Sequence, residues 1–174
     1  YDDVNDTALV EATAAAGNIV HSMVIKHESP DVEQKYNIQL NRPIPEEFRR
    51  RYAIRNVQGA VAVPESERNN DTLLPIDGLR AASGKVAVVE FTPDEDGVLR
   101  RTRPLREYQG SYYPVLGLAP FVTEGSPVVI GPDTIRLNDR VLPLDRDGNF
   151  LINMYGIDNV EPISIGGIFA SLQK

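Results

Sequence analysis

The stretch DEDGVLRRTRPLREYQGSYYPVLGLA, residues 94–119, holds the densest set of side chains suited to chemistry: Arg100, Arg101, Arg103 and Arg106, behind Asp94 and Asp96 and ahead of Tyr112 and Tyr113. Arginine offers a planar fork of donors that matches a carboxylate or a phosphate, so one reading is an anion-recognising strand. On an extended chain Arg100 and Thr102 face one way, while Leu99, Arg101, Arg103 and Leu105 face the other. If helices cover both faces of that sheet, at least one guanidinium is partly buried, and a buried charge needs a partner. The plain counterpart is an internal ion pair with Asp94, Asp96 or another carboxylate, and Arg100 is expected to be that structural arginine. Arg101, Arg103, Tyr112 and Tyr113 are the expected ligand-binding residues, the tyrosines either lining the site or anchoring the helix that follows.

Other chemistry finds less support. His21 and His27 lie on or just after one strand, and six strand residues span about 20 Å, too far for one metal ion. The DEDG at Asp94 and the DRDG at Asp145 each combine two carboxylates with a glycine, but Arg103 and Met154 stand where an EF-hand needs its bidentate Glu. Both are therefore read as reverse turns, and no metal or cofactor is expected. Nucleophile-elbow, Walker, dinucleotide-binding and zincin motifs do not occur, which leaves only an enzyme with dispersed carboxylates as a catalytic reading.

A chain of 174 residues with a net charge of -7 reads as one domain, and its charge argues against nucleic acid as a partner. It has no cysteine, hence no disulfide or thiol chemistry. No apolar run approaches the roughly 18 to 20 residues that span a bilayer. The chain opens at Tyr1 rather than Met, which reads as a piece of something longer.

The elements that must position these residues are α/β in type. An Ala-rich helix capped by Asp6 and stopped by Gly17 precedes a β-branched strand, NIVHSMVIK, and a polar loop from about Glu28 to Asn41. EEFRRRYAI after Pro45 predicts a helix with Phe48 and Tyr52 one turn apart and the arginines on the other face. GAVAV reads as a strand, PESERNND as a mobile loop, the segment from Pro75 as a short helix ended by Gly84, and KVAVVEF as a buried strand. A strand VLRRTRPL, a turn near Gly110 and a helix from Pro114, bent or ended by Pro120, come next. Beyond Gly125 short strands VVI, TIRL, RVLPL and NFLINMY alternate with turns, before a short helix at ISIGGIFASLQ. The fold expected is a mixed sheet with flanking helices, followed by C-terminal β-hairpins and a short helix.

The central segment 73–119 resembles the core of CHASE2 domains through Pro75, Gly84, Asp94, Asp96, Gly97, Val98, Arg100, Arg101, Pro104, Leu105, Tyr113 and Pro114. DTALVEATAAAGNIV near the start is similar to the family's helix and strand, and IRLNDRVLPLDRDGNFLINMYG with ISIGGIFASL to its closing hairpins and last helix. Family members begin with further strands and a Trp-Pro-rich segment, so the resemblance implies a single domain over 1–174 that lacks its N-terminal strands. It also implies an extracytoplasmic, periplasmic sensor without catalysis, attached to transmembrane helices. Its output would be a cytoplasmic histidine kinase, nucleotide cyclase or Ser/Thr kinase, its stimulus a small-molecule or anionic ligand, and its assembly a homodimer. Two other readings stand beside it: a small α/β hydrolase or transferase, and a dimerisation domain that binds no small molecule.

Overall fold

A computed structural model of the chain describes residues 3–28, 31–36, 39–60, 70–89, 93–153 and 171. The alanine-rich start forms α1 (Asp3–Ala16), which begins before Asp6 and ends where Gly17 enters the left-handed region at φ 69° and donates to Thr13 O at 3.1 Å. β1 (Val20–His27) is the centre of a mixed sheet, antiparallel to β3 (Asn70–Leu73) and parallel to β4 (Lys85–Val88). The expected polar loop after β1 contains a short helix instead, α2 (Asp31–Tyr36), with Asp31 and Glu33 in its first turn and Lys35 in its last, which suits the helix dipole.

α3 (Glu46–Tyr52) follows Pro45 and buries Phe48 and Tyr52, whose rings sit 4.9 Å apart, as the one-turn spacing predicts. α4 (Asp77–Ala82) is the helix expected after Pro75. Phe48 and Tyr52 join Met23, Ile25, Val86, Val88, Tyr108 and Tyr113 in the first core cluster. A fully buried side chain of this size stabilises the fold by about 1.5–3 kcal/mol.

The expected strand VLRRTRPL is broken into two. Arg101–Thr102 forms β5, paired antiparallel with β11 (Phe150–Leu151), whereas Leu105 opens β6 (Leu105–Tyr108) in a hairpin with β7 (Ser111–Pro114). Pro104 lies at the break, because it lacks the N–H that a continuous ladder needs. The hairpin joins the first sheet where Val88 bridges Val115 in parallel and Leu116 N–H donates to Val88 O at 3.0 Å.

No helix starts at Pro114. That residue ends β7, and only a single 3-10 turn, Ala119–Phe121, follows. Pro114, Gly117 and Pro120 all weaken a helix, and the N–H groups of Val115 and Leu116 are taken by Pro104 O and Val88 O.

Of the four strands read beyond Gly125, VVI, TIRL and RVLPL form hairpins, whereas NFLINMY gives only β11, which pairs with β5 instead of with RVLPL, and its Met154 and Tyr155 lie outside the described residues. β8 (Val128–Ile130), β9 (Thr134–Leu137) and β10 (Arg140–Pro143) make an antiparallel meander, and β2 (Val57–Gln58) joins it parallel to β8. Leu105, Val128, Ile130, Ile135 and Leu137 are the second core cluster. The whole is the α/β arrangement expected, with mixed sheets and C-terminal strands. Most of GAVAV and PESERNND, the end of KVAVVEF and, apart from Ser171, the ISIGGIFASLQ segment lie outside the described residues. Among the described residues no helix is long and apolar enough to cross a membrane.

Candidate functional site

The two Asp-Gly turns share one backbone design. Gly97 donates to Asp94 O at 2.8 Å and Asp94 to Val98 O at 3.0 Å; Gly148 donates to Asp145 O at 3.1 Å and Asp145 to Asn149 O at 2.7 Å. Gly97 at φ 80° and Gly148 at φ 77° occupy the left-handed region that each turn requires. The carboxylates serve the turns: Asp145 Oδ1 accepts from the N–H of Asp147 and of Asn149, each at 2.9 Å, and Asp96 Oδ1 accepts from Val98 N–H at 3.1 Å. Among the described residues no group of three or more His, Asp or Glu is placed to hold a metal ion.

Pairing of β5 with β11 sets these turns next to Arg100 and Arg101. Arg100 forks onto Asp96 through Nη1 at 2.9 Å and Nη2 at 2.7 Å, and reaches Asp94 Oδ2 at 3.2 Å. Its partners are those expected, but its side chain is 44% exposed, so the pair lies on the surface rather than inside. The Arg100 bond, and then the Val98 N–H, hold the Asp96 carboxyl below its ordinary value. Burial pushes the Asp145 carboxyl up, but the Asn149 N–H and side chain, the Asp147 N–H and the Arg101 charge more than offset it, leaving it low.

The four residues expected to bind ligand do not gather around one cavity. Arg101 bonds Asp94 at 3.2 Å and Asp145 at 3.5 Å. Arg103 is partly buried just before the break at Pro104. Adjacent strand positions send the tyrosines opposite ways: Tyr112 packs on the second cluster, and Tyr113 lies in the first with no exposed surface. Burial pushes the Tyr113 phenol up to about 12, only partly offset by the Arg49 charge and the Ser111 side chain. His21 shares a 3.1 Å hydrogen bond with Thr13 Oγ1, which ties α1 to β1.

Two cavities flank the end of α3, and none of the four expected ligand-binding residues lines either of them. One of about 330 Å³ opens between Tyr52, the start of β4 and the segment 119–126. The other, of about 620 Å³, lies between α3 and α4. Arg51 and Arg55 line both. Arg51 Nη2 donates to Ser83 O at 3.1 Å and its guanidinium lies 5.3 Å from the Tyr52 ring. The Tyr52 hydroxyl lies against Arg80 O and, at 3.2 Å, Ser83 O, so α3 side chains serve carbonyls at the end of α4. Lys85 Nζ donates to Ala119 O at 2.8 Å and Val122 O at 2.7 Å, pinning the 3-10 turn beside the first cavity.

The helical spacing puts the α3 arginines on the face opposite Phe48 and Tyr52 and does not connect them with Arg55 or Lys85. The signal present was the RRR run ahead of Tyr52 in an acidic chain, but its second wall comes from residues far along the sequence.

No curated protein and no solved structure gives a significant match to the chain. A family model described as CHASE2 domain matches residues 1–173. The chain therefore belongs to the CHASE2 family, whose members are extracellular sensor domains of signalling receptors.

Proposed function

We propose that the chain is the ligand-sensing, non-catalytic module of a bacterial transmembrane receptor. It faces the periplasm, and transmembrane helices link it to a cytoplasmic histidine kinase, nucleotide cyclase or Ser/Thr kinase domain. The observation that carries this reading is the family match over residues 1–173. A homodimer is the natural assembly for such a receptor, since paired modules can change their relative arrangement.

A stimulus shifts a sensor only by binding one arrangement better than another. The segment after α3 is suited to passing on such a difference. Ile54 N–H donates to Tyr112 O at 2.9 Å and Val128 N–H to Asn56 O at 2.8 Å, so this stretch is tied both to the β6–β7 hairpin and to β8. A ligand beside it acts on the contact between the two core clusters.

The test is a thermal-shift screen of the 174-residue chain against small anions, metabolites and divalent ions, followed by output measurements on a receptor carrying the domain. A saturable rise in melting temperature with a ligand that also changes receptor output supports the reading. Binding without any change in output, or an output indifferent to every compound, rejects it.

A further inference from the structure

We propose that the cavity of about 330 Å³ beside α3 is a binding site for a small organic anion, a carboxylate on an apolar body, held by Arg51 and Arg55. That this anion is the stimulus rests on the sensor reading above; that it binds there does not.

Size and lining fit such a ligand. Small-molecule sites begin at about 300 Å³ and combine an apolar floor with a few polar groups that orient the ligand. The floor here is Tyr52, Val86, Pro114, Ala119 and Val122. The charged lining is Arg51, Arg55 and Lys85 against Glu124 alone, a local positive excess in a chain whose net charge is -7.

The arginines keep donors for an incoming anion. A guanidinium carries five N–H donors. Arg51 directs Nη2 at Ser83 O, and Arg55 directs Nη2 at Arg50 O at 3.0 Å. Arg55 Nη1 also lies 3.5 Å from Glu124 Oε1, but Glu124 is 84% exposed and Arg55 63% exposed, so this pair is weakly held. Glu124 thus occupies the position of the ligand's carboxylate and is readily displaced by one that also buries its body on the floor. Lys85, committed to two carbonyls, adds positive charge without having to move.

The same geometry selects a single carboxylate over a phosphate. α3 ends at Tyr52, on the wall of the cavity, so the partial negative charge of its last turn lies beside the site and opposes a doubly charged phosphate more than a single carboxylate.

The experiment is calorimetric titration of the 174-residue chain with benzoate, with benzamide, acetate and inorganic phosphate as controls. Benzoate is expected to bind saturably. Benzamide, without the charge, and acetate, without the body, are expected to bind about tenfold more weakly or not at all. Arg55→Gln is expected to weaken benzoate about tenfold, Glu124→Gln to tighten it several-fold, and Arg101→Gln to leave it unchanged. Absence of saturation, tighter binding of phosphate than benzoate, or an affinity untouched by Arg55→Gln overturns the site. Loss of binding in Arg101→Gln but not in Arg55→Gln also overturns it, while leaving the sensor reading intact. Benzoate binding that obeys these variants in a receptor whose output ignores Arg55→Gln upholds the site and overturns the claim that its anion is the stimulus.

Discussion

Arg101 donates from Nη1 to Oδ2 of Asp145 at 3.5 Å, although the two residues lie 44 positions apart. The same guanidinium reaches Asp94 at 3.2 Å, so one side chain clasps both Asp-Gly turns across the β5–β11 pair.

The clasp is a surface one, with Arg101 46% and Asp145 34% exposed. A double-mutant cycle of Arg101→Gln with Asp145→Asn, read by urea unfolding, is expected to give a coupling of about 0.2–1 kcal/mol. A coupling of several kcal/mol would place the pair in a much drier setting.

Acid should weaken the fold through these turns. The Asp96 carboxyl, bonded first of all by Arg100, titrates below its ordinary 3.8 in the folded chain. A folded value below the unfolded one contributes stability that is present above 3.8 and lost as pH falls through the folded value. Asp145, also lowered, adds in the same sense. Urea midpoints measured from neutral pH downward should therefore fall in acid, and fall less steeply in Arg100→Gln, where Asp96 loses its main partner.

Two tyrosines should respond oppositely to loss of the hydroxyl. Among the described residues the buried Tyr113 Oη has no partner in hydrogen-bond geometry, the Ser111 side chain acting on it only from outside that geometry, whereas the Tyr52 hydroxyl meets carbonyls at the end of α4. Tyr113→Phe is expected to be neutral or stabilising, and Tyr52→Phe to cost about 1 kcal/mol by chemical denaturation.

Tyr113 also has an alkaline signature. Its folded value of about 12 lies above the ordinary 10.0, so its contribution to stability is full below 10.0 and is lost as pH rises through about 12. Stability of the parent should drop over that window more than that of Tyr113→Phe, measured by denaturant midpoints at each pH.

Calcium and chelator should leave the melting curve of the chain unchanged. The Asp96 and Asp145 carboxylates already accept from turn N–H groups and meet Arg100 and Arg101. A rise of several degrees with calcium would show that the cation displaces those arginines.

Several of these relationships were legible in the residues. The turn chemistry of DEDG and DRDG, the Phe48–Tyr52 stripe, the buried start of KVAVVEF and the meander after Gly125 follow from local rules of φ, periodicity and alternation. Arg100 found the partners its spacing suggested, because a fork four and six residues past two carboxylates needs only one turn to reach them. The family was legible in motifs in the segment 73–119 and near both ends of the chain, and its model matches residues 1–173.

The sequence by itself thus determined the α/β class and the turns, which depend on neighbours a few residues apart, and the family, which depends on the order of motifs along the chain. Only the tertiary structure decided which surfaces those elements share. A helical pattern from Pro114 gave way to pairing of Val115 and Leu116 with Pro104 and Val88, bonds that no local propensity contains. Burial of Arg100 depended on whether anything covers β5, and nothing in its spacing says so. The basic cavity needs Arg51 and Arg55 to meet Lys85 and the segment 119–126 across long stretches of chain, a juxtaposition set by sheet order and core packing rather than by any motif.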